Sequence, residues 1–176
     1  GTALPTARAY IGIAVYDGRL YVTGGQTGAA IADGQTYYTA LNVSTGAPGA
    51  WSTATNNFTA RKAHGCFVHG TRLYVVGGQT GAGSEYANTM WSQIDSVGNL
   101  GVWQAGGTFN GGTGQSHAGV EVYRNKVYVV GGQNGAATLT TVRVGTIDPA
   151  TFNVTYATSV QSLPEAFERY IGPDNP

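Results

Sequence analysis

Histidine is the residue type through which this chain could most readily bind a metal, and it occurs three times, at His64, His69 and His117. Zinc sites need several His or Cys ligands at short, regular spacing. Side chains alternate along a strand, so His64 and His69 are predicted to point to opposite faces of one strand. The sequence adds no Cys pair and no His-x-x-x-His motif. We therefore predict no metal site and no cofactor.

Acid–base catalysis is the next chemistry to consider, and the nine acidic residues form no repeated arrangement. Calcium loops need clustered carboxylates, whereas Asp17, Asp33, Asp95 and Asp148 lie singly. A glycosidase needs two acids about 5–10 Å apart, and such a pair could come from distant parts of the chain. The Gly-x-Ser-x-Gly turn of serine hydrolases is missing. The sequence predicts a protein that is not an enzyme.

The composition of the chain restricts the classes of partner that it can bind. Nine basic residues balance nine acidic ones, and charged residues make up 10% of the chain, against a usual figure of about 25%. Without a basic stripe carrying interleaved aromatics, nucleic acid is excluded as a partner. No apolar run approaches the roughly 18 residues of a membrane helix, so membrane insertion is excluded too. Polarity comes from Thr, Ser, Asn, Gln and Tyr, which is typical of extracellular β proteins and predicts a secreted or cell-surface location.

A repeated phrase organises the chain. Leu-Tyr-Val-Thr-Gly-Gly-Gln at 20–26 returns as Leu-Tyr-Val-Val-Gly-Gly-Gln at 73–79 and Val-Tyr-Val-Val-Gly-Gly-Gln at 127–133. A period of 53 and then 54 residues indicates one supersecondary unit used several times. An alternating strand precedes each phrase, at 10–16, 64–69 and 118–123. The Asp17-Gly18 turn between the first such pair is among the strongest hairpin signals. Cys66 lies in the second of these strands and is predicted to be buried and inert.

Two further strands complete each unit. Gly-rich linkers at 26–33, 79–84 and 133–137 lead to a third strand, predicted at 36–43, 88–94 and 139–147. A turn then leads to a fourth strand that opens with Trp51, Trp103 or Tyr156. Four short antiparallel strands in about 53 residues match the blade of a β-propeller. The buried core is predicted to contain Tyr21, Val22, Leu73, Val75, Val127 and Val129, with first-strand partners Ile13, Val15, Phe67 and Val120.

The residues themselves resemble a known family. Leu4-Pro5-Thr6-Ala7-Arg8, the hairpin, the Gly-Gly pair and Trp51 are similar to a bacterial kelch repeat, and the second repeat supplies equivalents at Arg61, Gly77-Gly78, Trp91 and Trp103. The resemblance implies an all-β, kelch-like (galactose-oxidase-like) β-propeller. The expected blades are 1–55, 56–108 and 109–162. Residues 163–176 repeat the opening of the chain and are expected to start a further blade.

The resemblance also points to a site. Arg8 and Arg61 match the arginine that lines the mouth of the central channel in kelch propellers, and Gln115 takes that place in the third repeat. A ring of Arg side chains would bind carboxylates by bidentate pairing, so these three residues are the predicted ligand-binding positions. In the alternative, each Arg is structural and bonds carbonyls of the neighbouring blade.

Partners are expected through the ends of the blade array. Closed propellers use four to eight blades, so three blades would leave two open sheet faces that should associate. Either the chain is an excerpt of a longer one, which we favour, or two copies pair to make six blades.

The resemblance implies a role in adhesion, recognition or an extracellular assembly, with protein partners or copies of the chain itself bound through the open blade faces. Glycans are further candidate partners. The alternatives are a lectin-like propeller and a carbohydrate-active kelch enzyme of the sialic-acid epimerase type.

Overall fold

The computed structural model describes residues 1–28, 31–109, 111–157 and 161–162, and within them it contains strands and no helix. The predicted all-β class is confirmed. The strands are β1 Gly12–Tyr16, β2 Arg19–Thr27, β3 Ile31–Ala40, β4 Ser52–Thr53, β5 Gly65–His69, β6 Arg72–Val76, β7 Asn88–Gln93, β8 Gln104–Thr108, β9 Gly119–Tyr123, β10 Lys126–Val130, β11 Gln133–Asn134, β12 Ala137–Thr138, β13 Thr141–Ile147, β14 Val154–Tyr156 and β15 Gln161–Ser162.

Three antiparallel sheets repeat one topology. The first sheet has the order β1-β2-β3-β4, the second β5-β6-β7-β8, and the third β9-β10-β13-β14 with β15 also paired to β13. In the third unit a small hairpin, β11-β12, occupies the connection between the second and third strands of the blade. Each sheet is a propeller blade, so the predicted β-propeller architecture is confirmed. We refer to the sheets as blades 1, 2 and 3.

The first hairpin forms as its turn residues predict. Asp17 and Gly18 both have positive φ, 47° and 65°, as a two-residue turn matching the strand twist requires. In blade 3 the positive φ of 55° falls on Arg124, the first turn residue, and not on Asn125. The position in the turn therefore decides the conformation there, more than the residue preference does.

The Gly-Gly pair ends the second strand because no side chain fits there. Gly77 has φ of 60°, and a Cβ on it would lie 2.3 Å from the carbonyl oxygen of Gln115 in the next blade. The pair thus lets the backbones of adjacent blades approach each other closely. The repeated phrase found in the sequence is a packing requirement between blades.

Several strand boundaries differ from the sequence prediction. Trp51 and Trp103, expected to open fourth strands, each lie one residue before the strand begins. Residues 26–33 were expected to be a linker, yet β2 continues to Thr27 and β3 already begins at Ile31, with a bulge between Thr23 and Gly25. Tyr156, expected to open the fourth strand of blade 3, ends β14 instead. Its pairing with Gly145 nevertheless places it where Trp103 lies in blade 2.

The hydrophobic core lies between blades. One buried cluster, between blades 1 and 2, contains Tyr21, Leu73, Val75 and Trp103 among its members. A second, between blades 2 and 3, includes Phe67, Tyr74, Val127, Val129 and Tyr156. Burial of these aromatic and aliphatic side chains is what joins the blades, since each fully buried one contributes about 1.5–3 kcal/mol.

Two predicted core residues are in fact exposed. Ile13 has 53% and Val15 62% of its surface accessible. Their equivalents in blade 2, Cys66 and Val68, pack against blade 1. No described residue of the chain covers the corresponding face of blade 1. Alternation correctly assigned both residues to one face of β1, but this face lies at the end of the blade array.

Among the described residues, no helix is long and apolar enough to span a membrane. The predicted start of a further blade at 163–176 lies outside the described residues.

Candidate functional site

Arg8 immediately precedes the first strand, next to the bridge between Ala9 and Gln26. Its side chain is 1% exposed. Nη1 donates a 2.7 Å hydrogen bond to the carbonyl oxygen of Gly24, and Nη2 forms a 3.0 Å ion pair with Asp33 Oδ2. The guanidinium lies 4.7 Å from the centre of the Tyr37 ring. Arg8 is therefore fixed within blade 1 by a carbonyl, a carboxylate and an aromatic face.

Arg61 is the equivalent in blade 2 and is completely buried. Nη1 donates to the carbonyl oxygen of Gly77 at 2.9 Å and to Asn88 Oδ1 at 3.1 Å, and the guanidinium lies 4.1 Å from the centre of the Tyr86 ring. Nη2 contacts Met90 Sδ at 3.4 Å. Burial lowers the pKa of Arg61 to about 10. The side chain thus keeps its charge at neutral pH, and none of the described residues that it contacts is a carboxylate.

Gln115 completes the set in blade 3 and is 1% exposed. Its amide nitrogen donates to the carbonyl oxygen of Gly131, and its amide oxygen accepts a 3.0 Å hydrogen bond from Arg143 Nε. Arg143 lies on the third strand, with its guanidinium 5.0 Å from the centre of the Phe109 ring. A cation is therefore present in all three blades, but in blade 3 the third strand supplies it.

The three predicted site residues share one structural relationship. Each donates to the carbonyl of the first glycine of the Gly-Gly pair in its own blade, 16 residues further along the chain. The structural alternative predicted bonds to carbonyls of the neighbouring blade. The observed carbonyls belong instead to the same blade as the donor. The ligand-binding role of Arg8, Arg61 and Gln115 stays a prediction, and a ligand would have to compete with these carbonyls for the same donors.

The register of the third strand reveals a residue that sequence reasoning missed. Val22, Val75 and Val129 pair with Tyr37, Met90 and Arg143 respectively. These third-strand residues are the ones that contact Arg8, Arg61 and Gln115. Aligning the third strands residue by residue, beyond the Gly-Gly phrase, would have shown that the arginine of blade 3 had moved to Arg143.

The exposed Tyr10 and the half-buried Lys62 and His117 lie together at a neighbouring position, and we call these three residues the inner rim. Tyr10 comes from blade 1 and His117 from blade 3, yet their rings make an edge contact with centroids 5.8 Å apart. Lys62 Nζ lies 6.0 Å from the Tyr10 ring centre and donates a 2.8 Å hydrogen bond to Gln26 Oε1. Three blades thus converge on one small surface.

Strained backbone holds this rim in place. Tyr10 and His117, together with Ala63 of blade 2, have φ values of 53°, 55° and 52°, which side-chain-bearing residues rarely adopt. Backbone hydrogen bonds link the three in sequence, from Ala63 N–H to the Tyr10 carbonyl at 2.8 Å and from His117 N–H to the Ala63 carbonyl at 2.9 Å. The rim is a continuous backbone path across three blades.

His64 lies between blades 1 and 2 and not at the inner rim. His64 is 5% exposed and its Nε2 lies 2.8 Å from the Thr23 hydroxyl of blade 1. Burial, with a smaller contribution from the Arg61 charge, lowers the pKa of His64 to about 3, so the ring is neutral. Within the described ranges no three His, Cys, Asp or Glu side chains are grouped to hold a metal. His64 is a polar link between blades.

Aromatic side chains that could stack on a sugar ring are mostly engaged with other side chains. Tyr37 and Tyr86 lie under Arg8 and Arg61. Trp91 makes an edge contact with Phe152 at 5.6 Å, and the Arg72 guanidinium lies 5.4 Å from its ring. Of the aromatic side chains near the inner rim, Tyr10 is the one that is 44% exposed.

A groove of about 760 Å³ runs between the outer strands of blades 2 and 3. The described residues that line it are uncharged and include Thr108, Phe109, Asn153 and Tyr156. They provide shape and hydrogen-bonding groups.

Comparison with known proteins agrees with this geometry. A family model described as the Kelch motif matches residues 60–92 and 116–144. Spermatocyte protein spe-26 of Caenorhabditis elegans is 29% identical over 156 residues, which are 80% of this chain and 24% of that protein. The solved structure of YjhT superposes with a TM-score of 0.69 at 12% identity and shows the same fold. The match covers 90% of this chain and 48% of that one. The chain therefore spans about a quarter of the curated relative and about half of the solved structure.

Proposed function

We propose that this chain is a non-enzymatic interaction module that binds proteins through its open blade faces. The two stretches that match the Kelch motif and the propeller fold support this proposal. Kelch repeats imply a protein-interaction module. The finer role is recognition, adhesion or assembly outside the cell.

One observation carries the proposal. Ile13 and Val15 present aliphatic side chains that are 53% and 62% exposed on the open face of blade 1. The equivalent residues of blade 3, Val120 and Val122, pack against the core between blades 2 and 3. The face of blade 1 thus has the composition of a blade interface, and no residue in the described part of the chain covers it. An uncovered apolar face of this kind favours association with protein.

The non-enzymatic part of the proposal is supported by how the polar side chains are used. Arg8, Arg61 and Gln115 are buried and donate to glycine carbonyls of their own blades. The same hydrogen bond recurs in all three blades, which indicates that it stabilises each blade in the same way. A catalytic site would instead differ from blade to blade, because a substrate breaks the repeat symmetry.

Affinity capture with matched variants tests the role. The chain is immobilised and exposed to the proteins that surround it in its source, and the retained proteins are identified by mass spectrometry. Ile13→Asp is expected to abolish retention because it places a charge on the open face. Val102→Asp is the control, since Val102 is 67% exposed but lies in blade 2, whose two faces are covered. Retention that survives Ile13→Asp would overturn the proposed binding surface.

The location outside the cell rests on composition. Charged residues make up 10% of the chain, and only Lys62 and Lys126 are lysines. Surface polarity from Thr, Ser, Asn, Gln and Tyr suits an extracellular β protein. Protease treatment of intact cells, followed by immunodetection of the chain, tests this location. Complete protection of the chain in intact cells and its absence from the medium would contradict it.

A second candidate function is binding of a carboxylated sugar at the inner rim. The exposed Tyr10 ring offers a face for stacking, and Lys62 offers a cation close to that ring. Titration of the chain with N-acetylneuraminic acid, followed by NMR, tests this. Tyr10→Ala should remove any chemical-shift changes. Tyr123→Ala, which changes a more exposed tyrosine of blade 3, should leave them in place.

A further inference from the structure

A basic residue begins the second strand of each blade, at Arg19, Arg72 and Lys126. Arg19 Nη1 forms a 3.0 Å ion pair with Asp17 Oδ2 in the turn before it. Lys126 Nζ donates a 2.7 Å hydrogen bond to Thr146 Oγ1. Arg72 forms no ion pair with any described residue. Blade 2 therefore carries the same cation as blade 1 at this position, but not the carboxylate that pairs with it.

The difference originates in the hairpin turns. Blade 1 turns through Asp17-Gly18 and blade 2 through Gly70-Thr71, so a glycine stands where blade 1 has its acid. Gly70 has φ of 59°, close to the 47° of Asp17. Nothing in the described structure lies within 4 Å of a Cβ built on Gly70. The turn of blade 2 thus has the conformation of the turn of blade 1 and room for its acid, but no acid.

Electrostatics at two equivalent tyrosines agree with this difference. Burial raises the pKa of Tyr21 in blade 1 and of Tyr74 in blade 2 to about 12. Smaller contributions at Tyr21 include those of two carboxylates, Asp95 and Asp17. At Tyr74 the smaller contribution comes from Arg72. The charge of Arg72 is therefore not balanced locally by an acid among the described residues.

The Arg72 guanidinium lies against two aromatic rings. Its Cζ is 3.2 Å from the centre of the Phe152 ring of blade 3 and 5.4 Å from the centre of the Trp91 ring. The two rings make an edge contact, with centroids 5.6 Å apart. A guanidinium stacked on a ring keeps its N–H groups in its own plane. Stacking therefore fixes the cation without using its hydrogen-bond donors.

Phe152 is itself firmly placed. Its φ of 63° is one that bulky residues rarely adopt, and its carbonyl accepts a 3.1 Å hydrogen bond from Tyr74 Oη. Asp148 of the same turn accepts two backbone N–H groups of that turn. Gly98 takes the place of Phe152 between blades 1 and 2, with φ of 91°. The aromatic ring over the arginine therefore belongs to the contact of blades 2 and 3 and not to that of blades 1 and 2.

Two buried N–H groups at this contact lack an acceptor. Arg72 Nε and Trp91 Nε1 are both buried, and neither has a hydrogen-bond partner among the described residues. Both are donors, so they cannot satisfy each other. The indole nitrogens of Trp51 and Trp103, by contrast, donate to backbone carbonyls at 3.0 and 3.2 Å. Since buried polar groups are nearly always paired, the two donors indicate an acceptor that the described residues do not supply.

We propose that Arg72 and Trp91 bind a carboxylate at the contact of blades 2 and 3, with the guanidinium and the indole N–H as donors. A carboxylate accepts hydrogen bonds without donating any, and it carries the charge that Arg72 requires. It would take the part that Asp17 has beside Arg19 in blade 1. The carboxylate belongs to a small organic acid or to an acidic side chain of a protein. This site is separate from the open face of blade 1, and it does not depend on that face binding a protein.

The neighbours of Arg72 favour a carboxylate over a phosphate. The strand register places His69 and Gln93 beside Arg72, and neither is a lysine or an arginine. Gln93 Nε2 already donates to the Thr71 and Ile94 carbonyls. A single guanidinium matches the single charge of a carboxylate, whereas phosphate carries more charge at neutral pH.

The first test is a titration of the isotope-labelled chain with sodium acetate, at an ionic strength held constant with sodium chloride, followed through the indole N–H signals in NMR spectra. The Trp91 signal, assigned by its loss in Trp91→Phe, should move to a plateau, while the Trp51 and Trp103 signals stay in place. Arg72→Gln should weaken the binding by about tenfold or more. Arg124→Gln, which removes an exposed cation of blade 3, is the control and should leave it unchanged. A Trp91 signal that does not move would overturn the proposal.

The second test supplies the carboxylate from the chain itself and does not rely on the fold of Arg72→Gln. Gly70→Asp copies the turn of blade 1 and should occupy Arg72, so that acetate no longer moves the Trp91 signal. Gly70→Asn has the same shape without the charge and should keep the acetate response. A full acetate response in Gly70→Asp, or its loss in both variants, would contradict a site that selects a carboxylate at Arg72.

Two further titrations identify the ligand. A Gly-Asp-Gly peptide with blocked ends carries one side-chain carboxylate, and tighter binding of this peptide than of acetate assigns the site to an acidic protein. Tighter binding of acetate assigns it to a small organic acid. Inorganic phosphate that binds more tightly than both would overturn the choice of a carboxylate. Because none of these measurements involves Ile13, their outcome is independent of the test of the open face.

Discussion

Arg143 Nε donates a 3.0 Å hydrogen bond to Gln115 Oε1, and the two side chains meet at the register positions where Met90 meets Arg61 in blade 2. Blade 3 has therefore exchanged the positions of its cation and its uncharged partner while keeping the bond to the Gly131 carbonyl. The repeat conserves an arrangement of groups more strictly than it conserves a residue at one position.

Restoring the blade 2 arrangement in blade 3 should require substitution of both Gln115 and Arg143. Arg143→Met leaves the Gln115 amide oxygen without this donor and should lower the free energy of unfolding by about 1–3 kcal/mol. Gln115→Arg places a second buried cation beside Arg143 and should cost at least as much. The double variant copies blade 2, and urea unfolding should show it to be more stable than the sum of the two single effects predicts. Strictly additive effects would contradict the exchange.

Arg61 should resist replacement by lysine. Its planar guanidinium donates to Thr59, Gly77 and Asn88 at once, which an ammonium group cannot reproduce. We expect Arg61→Lys to lower the free energy of unfolding by about 2 kcal/mol. The exposed Arg124→Lys is the control and should stay within about 0.5 kcal/mol of wild type. An Arg61→Lys variant of full stability would show that these hydrogen bonds contribute little and would reopen a binding role for this side chain.

His64 should make the chain sensitive to acid. Its pKa falls from 6.5 in the unfolded chain to about 3 when folded, so between these values the unfolded state binds more protons. Stability is fully present above pH 6.5 and declines as pH falls towards 3, by up to about 1.4 kcal/mol per pH unit.

His64→Gln, which can still bond Thr23, should remove that part of the slope in unfolding curves measured from pH 7 to pH 4. His69→Gln is the matched control and should retain it. An unchanged slope in His64→Gln would assign the acid sensitivity to other groups.

The glycines of the first strands should differ in their tolerance of a methyl group. Gly65→Ala would bring a Cβ to 2.1 Å from Val120 Cγ2, and overpacking of this kind costs about 1–3 kcal/mol. Among the described residues, a Cβ on Gly119 would meet only the Val130 carbonyl, at the ordinary contact distance of 3.8 Å, so Gly119→Ala should be nearly neutral. Thermal unfolding of both variants, each compared with the wild-type chain, measures the two effects. Equal effects at the two positions would contradict the packing described here.

Cys66 should report on separation of blades 1 and 2. Burial raises the pKa of its thiol to about 12, and it packs against the core between those blades. Native chain should therefore react with a thiol reagent at pH 8 far more slowly than chain unfolded in urea, since the thiolate is the reactive form. Rapid labelling of the native chain would mean that the interface opens readily.

Local patterns were sufficient to predict the blades. The Asp17-Gly18 turn, the alternating first strands and the Gly-Gly pairs each depend on backbone angles or side-chain alternation, which neighbouring residues set. The predicted linker at 26–33 failed because β2 and β3 extend by pairing with each other past the bulge at Thr23 and Gly25. Residue preferences do not reveal how far two strands continue to pair.

In the candidate site, too, local sequence predicted the positions of the residues but not their contacts. Sequence alignment placed Arg8, Arg61 and Gln115 at equivalent positions, because they precede equivalent strands. Their carbonyl partners, the compensating Arg143 and the convergence of Tyr10 with His117 arise between segments that are distant in sequence. Only the packed structure brings these groups together.

By itself the sequence determined that the chain repeats a four-stranded unit and which residues point to each face of a strand, because both follow from periodicity. Tertiary structure decided which faces are covered. Val15 and Val68 have the same place in the same pattern, yet Val68 packs against a neighbouring blade and Val15 is 62% exposed. Burial depends on what lies opposite a residue in space, and alternation along a strand carries no information about that.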